Sequence, residues 1–261
     1  MIGVVRAAQN RQLILIADQD IGTTAGNQSY VIPNGTQYID IELYGGGGGG
    51  GAGNTVAAAR VNYYIGGGGG GGGGYVHYGY TGAFGGDVLH FTIGSGGTGN
   101  PFSRGVSGGN TFLTSLERNE VNIMSFTNVV AYGGFGGERA TTISTAARGG
   151  TGGVASGGNI NNRNASGGGD GGLTSTVGSD GGNGGAGGGN DEDIAIGNLI
   201  ANGGLGGFAS SNTRATKGQN GVVALMGAGG GGGGYRNASA VSDAYKGATG
   251  GVGGIRIRSY G

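Results

Sequence analysis

The chain has 261 residues, of which 75 are glycine, 2 are proline and none is cysteine. The glycines fall in unequal runs and proline is scarce, which excludes a collagen triple helix. The 14 basic and 14 acidic residues cancel, so no basic surface for nucleic acid or an anionic membrane is expected. The absence of cysteine excludes disulfides and thiolate metal sites. Low net charge, with 12 tyrosines and 7 phenylalanines, favours a folded protein over a disordered one.

Residues 1–28 are predicted to be an N-terminal extension, followed by a module that covers residues 29–261. Within the extension, Gln12 to Ile16 is a short apolar strand candidate. Two interpretations stay open for it: an edge strand, or a segment that attaches the protein to a carrier. Met1 to Gln12 has two arginines and no long apolar run, so neither a secretory signal nor a membrane-spanning helix is expected there.

Alternating apolar and polar residues predict strands. The turn signal Pro33-Asn34-Gly35 precedes a strand that places Ile39, Ile41 and Leu43 on one face. The predicted strands are Tyr38 to Tyr44, Val88 to Ile93, Thr111 to Leu116, Val121 to Tyr132, Val222 to Met226, and a closing strand from Gly253 to Arg258 with Ile255 and Ile257 inward and Arg256 and Arg258 outward. No helix is expected, because the one short candidate, Asp191 to Ile200, is interrupted by Gly197.

Three uninterrupted glycine runs dominate the chain: Gly45 to Gly51, Gly66 to Gly74 and Gly229 to Gly234. Such runs are either flexible linkers or polyglycine II helices, which have three residues per turn and no internal hydrogen bonds. Without side chains, adjacent runs can approach closely enough to exchange backbone hydrogen bonds, as a buried backbone requires. Strands at both ends of the chain favour the second interpretation. The predicted fold class is all-β, with β-sandwich-like strands that frame a bundle of polyglycine II helices.

Aromatic residues cluster beside the glycine runs. Tyr44, Tyr75 and Tyr235, which adjoin a run, are interpreted as bulky structural caps. The others are either core residues or exposed recognition residues on connections such as Asn54 to Ile65 and Tyr75 to Phe84, since loops on a rigid scaffold often carry binding. The candidate binding residues are Tyr63, Tyr64, His77, Tyr78, Tyr80, Phe84 and Tyr245.

Matches to enzyme and metal motifs are attributed to chance. The segment Gly105-Val106-Ser107-Gly108-Gly109 fits a nucleophile elbow, but that motif needs a preceding strand and a following helix. His77 and His90 lack the spacing of a helical zinc site. The acidic residues Asp170, Asp180, Asp191, Glu192 and Asp193 lack a calcium-binding repeat and are assigned to solvated loops. No catalytic residue, metal or cofactor is therefore predicted.

The order of these segments is similar to that of a known family. Tyr38 to Tyr44 leads into a glycine run, Gly66 to Gly74 leads into Tyr75-Val76, Leu89 to Gly97 and Asn128 to Gly137 are strands that enter glycines, and Gly253 to Ile257 closes the chain. Across residues 29–261 this resembles the glycine-rich domain of bacteriophage tail and tail-fibre proteins. More loosely, the glycine texture is similar to the distal tip adhesins of T-even-type long tail fibres.

The resemblance implies a non-enzymatic virion protein, made in the host cytoplasm without a signal peptide. It would be a tail-fibre or tail-tip component that presents loops to a host-cell receptor, either protein or polysaccharide, and binds other tail or fibre proteins. Homotrimer formation is left open. Two alternatives remain: a non-adhesive virion protein such as a head fibre or decoration, and an ice- or surface-binding polyglycine II protein.

Overall fold

A computed structural model describes residues 13–21, 24–58, 61–100, 102–142, 145–174 and 247–261. No helix occurs among these residues, and their strands form antiparallel sheets of five, six and three strands. The all-β fold class is therefore confirmed. The strands are β1 (Leu15–Ile21), β2 (Gly26–Val31), β3 (Tyr38–Tyr44), β4 (Asn54–Ala58), β5 (Val61–Ile65), β6 (Tyr75–Thr81), β7 (Val88–Ile93), β8 (Thr111–Arg118), β9 (Val121–Ser125), β10 (Val130–Ala131), β11 (Ala155–Ser156), β12 (Asn161–Arg163), β13 (Leu173–Thr174) and β14 (Gly254–Tyr260).

The two larger sheets pack face to face as a sandwich. Sheet A has the order β1-β14-β3-β6-β12, and sheet B has the order β11-β10-β8-β7-β2, with β9 beside β8. Alternation along each strand sends every second side chain into one shared core. Sheet A contributes Ile39, Ile41, Leu43, Val76, Ile255 and Ile257, and sheet B contributes Leu89, Phe91, Ile93, Leu113 and Leu116. The predicted inward faces of β3, β7 and β14 are confirmed.

Several predicted boundaries differ from the structure. Val121 to Tyr132 is divided between β9 and β10, because the chain leaves the ladder between Ser125 and Val130. The segment Asn54 to Ile65, which was interpreted as a connection, contains the hairpin β4–β5. The first strand is β1, and it lies within the predicted extension. The candidates Val222 to Met226 and Asp191 to Ile200 fall outside the described residues.

Glycine-rich segments leave the sandwich at one end. β3, β7 and β10 each run directly into such a segment, and β6, β8 and β14 each begin where one ends. We call the set of these segments the glycine bundle. Its described members are residues 45–52, 66–74, 94–99, 103–109, 132–140, 147–154, 165–172 and 247–253.

Backbone hydrogen bonds join the segments at every third residue. The N–H groups of Gly45, Gly48 and Gly51 donate to Gly74, Gly71 and Gly68 at 2.8–2.9 Å. Gly46 and Gly49 donate to a second segment, at Gly109 and Val106. Gly47 and Gly50 donate to a third segment, at Gly251 and Ala248. A period of three residues is the one expected of a polyglycine II helix; that geometry for the runs stays a prediction.

Close packing explains where glycine is required. A Cβ atom on Gly45, Gly48 or Gly51 would overlap the backbone of 132–140, and one on Gly46 or Gly49 would overlap that of 94–99. Such inner positions exclude side chains. In segment 132–140, by contrast, every third residue points outward and is exposed, and these residues are Tyr132, Phe135 and Glu138. Uninterrupted glycine therefore marks the inner segments, and a residue-Gly-Gly pattern marks the outer ones.

Replacing Gly70 with valine tests this packing. A Cβ at Gly70 would overlap the carbonyl group of Gly48, and backbone cannot yield as a flexible side chain can. We therefore expect Gly70→Val to cost more than the about 1–3 kcal/mol usual for an overpacked core, so that thermal unfolding shows no folded protein. The control is Thr151→Val at an exposed outward position, which should keep the wild-type Tm. A folded Gly70→Val variant with unchanged Tm would contradict a packed bundle.

Amide hydrogen exchange gives a second test. Because the N–H groups of Gly45 to Gly51 each donate to a neighbouring segment, we expect them to exchange about as slowly as core amides of β3. NMR-detected exchange in D₂O measures this directly. Exchange of these glycines at the rate of an unstructured linker would show that the segments are not held together in solution.

Candidate functional site

The ends of the glycine segments farthest from the sandwich meet in one place. Ala52 donates its N–H to Ser103 at 3.2 Å and accepts from Ala140 at 3.1 Å. Ile65, Ala140 and Ala147 form a small buried cluster there, and β13 pairs with β5 through Leu173 and Thr174. We call this the distal end; its described residues are 54–58, 61–65, 99–100, 102–103, 139–142, 145–147 and 173–174. It holds the connections of several segments side by side.

Local contacts hold the distal connections in place. The Asn100 side-chain oxygen accepts the N–H groups of Phe102 and Ser103 at 2.8 and 3.0 Å, a side-chain turn that favours one backbone path. Phe102 is 63% exposed, so this turn presents an apolar ring to solvent. Arg104 and Arg139 are exposed nearby. The distal end thus combines an exposed aromatic ring, cationic groups and an ordered backbone, an arrangement that can bind a ligand.

The predicted binding residues are divided between two places. Tyr63 and Tyr64 lie in β5 at the distal end, where only their backbone is described. His77, Tyr78 and Tyr80 lie in β6 of the sandwich, and Phe84 follows that strand at the end farthest from the bundle. Tyr245 falls outside the described residues, as do Gly229 and Gly234. The bounding glycines Gly45, Gly51, Gly66 and Gly74 all lie in the bundle.

Tyr78 and Tyr80 lie in a strand, which corrects the expectation of an aromatic loop. They pack against the core as partly buried side chains, and the Tyr78 ring meets Phe126 edge-on at 5.6 Å. Strand pairing with β3 on one side and β12 on the other holds this segment extended despite Gly79. Phe84 is strongly exposed, at 56%, and the Arg118 guanidinium lies 4.2 Å from its ring centre.

His77 also differs from its interpretation as a surface loop residue. It contacts the Asp40 carboxylate and lies near Glu42 on the outer face of sheet A. Arg258 Nη1 lies 2.7 Å from Glu42 Oε1 and 3.2 Å from Asp40 Oδ2. Asp40, Glu42 and His77 each offer an atom that is suited to bind a metal ion. Because protein donors already use their acceptor atoms, the arrangement favours an ion-pair network over a metal site.

The network extends to β1 at the edge of sheet A, because Arg258 Nε lies 3.7 Å from Asp18 Oδ2. Arg256 donates from Nε and Nη2 to the two Asp18 oxygens at 2.8 and 2.7 Å. That hydrogen bonding lowers the pKa of Asp18 against the opposing effect of its burial. The outward direction of Arg256 is correct, but its side chain is only 7% exposed because carboxylates surround it. The predicted extension thus contains a strand of the sheet; an attachment role for residues 1–28 stays a prediction.

The enzyme-like motif lies within the bundle. Gly105 and Gly108 donate their N–H groups to Gly137 and Gly134, and no helix follows them in the described part of the chain.

Among the calcium candidates, Asp170 accepts the N–H of Gly149 at 2.8 Å, whereas Asp180, Asp191, Glu192 and Asp193 fall outside the described residues. None of the described residues forms a helix long and apolar enough to cross a membrane.

Sequence reasoning missed Phe102, Arg104 and Arg139. Each lies where the residue-Gly-Gly pattern of an outer segment stops. That interruption was a usable signal, because a segment can leave the bundle only where glycine is no longer required.

The His77–Asp40 contact predicts a pH dependence of stability. Burial lowers the pKa of His77, but its hydrogen bond to Asp40 and the charges of Asp40 and Glu42 raise it overall above its ordinary value. Protonated His77 therefore stabilises the fold at pH values below about 6.5, and this contribution disappears as the pH rises through the folded-state pKa. We expect His77→Gln to lack this decline in Tm between about pH 6 and 9. The control His90→Gln should retain it; an identical decline in wild type and His77→Gln would contradict the assignment.

A known protein family matches most of the chain. No curated protein sequence matches the chain significantly. A family model described as a glycine-rich domain matches residues 23–260, which include all the described segments of the glycine bundle and every strand except β1. The chain therefore belongs to the glycine-rich domain family.

Proposed function

We propose that the protein is a bacteriophage tail-fibre or tail-tip component whose distal end binds a receptor on the host-cell surface. The observation that carries the proposal is the separation of the two ends. The sandwich holds one end of each described glycine segment, while the hairpin β4–β5 and the turn at Asn100 lie at the other. A rigid stalk that ends in loops fits display of a binding surface.

The bundle contributes by fixing the loops. Hydrogen bonds link 45–52 to three neighbours, so the distal connections keep their relative positions before a receptor arrives. Pre-ordered loops lose less conformational entropy on binding. Several copies on one virion would then convert weak individual contacts into avid attachment.

The opposite end is where we place attachment to another tail or fibre protein. Leu13, Ile14, Leu15 and Ile16 form a consecutive exposed apolar stretch at the start of β1, between 40% and 71% exposed. In the described residues β1 pairs on one side only, with β14. An unpaired edge strand offers backbone groups to a strand of a partner protein.

The alternatives receive less support. An ice- or surface-binding role would favour a flat, regular face, but the outer rows of the bundle carry side chains as different in size and charge as Phe135, Glu138 and Arg148. A non-adhesive head fibre or decoration would need no ordered distal turn. It remains the outcome if the binding experiments fail and electron microscopy places the protein on the capsid.

Two exposed phenylalanines give a matched test. Phe102 lies at the distal end and is 63% exposed, and Phe135 lies on the side of the bundle and is 51% exposed. Binding hot spots are typically aromatic and cost 2 kcal/mol or more on truncation, roughly thirtyfold in affinity. We expect Phe102→Ala to weaken binding to cells by about tenfold or more, and Phe135→Ala to leave it unchanged.

The measurement uses fluorescently labelled full-length protein on a panel of bacterial strains, followed by titration on strains that bind. Competition with phage adsorption on the same strains shows whether the binding is relevant to infection. If no strain binds the protein, or if the two variants behave alike, the distal receptor role is wrong.

A further inference from the structure

A groove on the side of the sandwich differs in character from the distal end. It lies on the outer face of sheet B across β2, β7 and β8, with a volume of about 450 Å³, within the usual range for small-molecule sites. We call it the lateral groove. Its polar and aromatic side chains include Asn27, His90, Thr92, Phe112, Thr114 and Glu117.

A β-bulge shapes this groove. His90 is opposite Ser115, and Phe91 is opposite Leu113, so Thr114 is the extra residue on β8. A bulge redirects side chains and bends the strand, and bulges are common beside binding sites. The exposed Thr114 therefore interrupts what would otherwise be a flat outer face.

The groups in the groove suit a polyhydroxyl ligand. Thr92 Oγ1 donates to Asn27 Oδ1 at 2.7 Å, which orients the amide and leaves its NH₂ group as a donor. His90 Nε2 lies 3.2 Å from Glu117 Oε2, and no other side chain in the described part of the chain forms a hydrogen bond with this nitrogen. The Glu117 carboxylate has more acceptor sites than this one contact uses, so it can also accept from a ligand hydroxyl.

We infer that the lateral groove binds a neutral hexose unit of a glycan, and that it does so independently of the distal end. The half-buried Phe112 ring offers an apolar face to sugar C–H groups, while amide, hydroxyl, imidazole and carboxylate groups match hydroxyls that both donate and accept. The Glu117 carboxylate in the groove disfavours acidic sugars through like-charge repulsion. The proposal adds a second site to the proposed receptor site.

The probes are methyl glycosides of glucose, galactose, mannose and N-acetylglucosamine, with glucuronate as the acidic comparison. Each is titrated into ¹⁵N-labelled full-length protein and followed by amide chemical shifts. We expect at least one neutral glycoside to give saturable shifts confined to β2, β7 and β8, and glucuronate to give none. The absence of saturable shifts with every neutral glycoside, or shifts confined to the distal end, would overturn the inference.

Conservative substitutions test the Glu117 carboxylate and the His90 imidazole. Glu117→Gln and His90→Gln should each weaken glycoside binding by about tenfold, while Glu138→Gln on the side of the bundle should leave it unchanged. Amide spectra that match the wild type outside the groove show that the variants are folded. Unchanged affinity in both groove variants would contradict the proposal.

The Phe102→Ala variant separates this inference from the receptor proposal. Phe102→Ala should reduce cell binding but keep the glycoside shifts of the groove. Groove shifts in a protein that binds no cells would support the lateral site and refute the distal one. If Phe102→Ala loses cell binding and no glycoside shifts the amides of the lateral groove, the distal site is supported and the lateral site is refuted.

Discussion

The contact between glycine backbones is the constraint on which the rest of the structure depends. Segments 45–52 and 66–74 lie so close to their neighbours that a single Cβ would overlap a carbonyl group. That closeness lets N–H groups in one run reach three different segments, which satisfies a buried backbone without a regular sheet. Composition, hydrogen bonding and the position of each exposed side chain all follow from it.

The sandwich supplies what the glycine segments lack. Ordering a backbone costs about 1–2 kcal/mol per residue, whereas a hydrogen bond contributes about 0.5–1.5 kcal/mol net, so the segments alone would be marginal. Burying a side chain such as Ile41, Phe91 or Ile257 contributes about 1.5–3 kcal/mol, and these residues lie in the sandwich core. Because strands run directly into the bundle, that core fixes where the segments begin and offsets the entropy of ordering them.

The sequence was informative where a pattern is local. Alternation identified β3 and β7 and their inward faces, and the glycine runs identified the inner segments. It could not place Tyr63 and Tyr78 at different ends, because that depends on which end of the bundle each connection reaches. Nor could it find the contact between His77 and Asp40, which is made only when β3 and β6 pair in register. The end of the glycine pattern marks the place of Phe102, but a single ring without periodicity does not indicate whether it is exposed.

The outward third residues of the bundle also limit how such a chain can change in length. Inserting one residue into segment 132–140 would shift the rest of the segment by one position in the three-residue hydrogen-bonding period, and Phe135 or Glu138 would then face a neighbouring backbone. Only additions of three residues keep the exposed rows exposed, and each must be matched in the hydrogen-bonded neighbours. The glycine bundle can therefore lengthen only in discrete steps shared by all its segments, whereas the connections at the distal end can change one residue at a time.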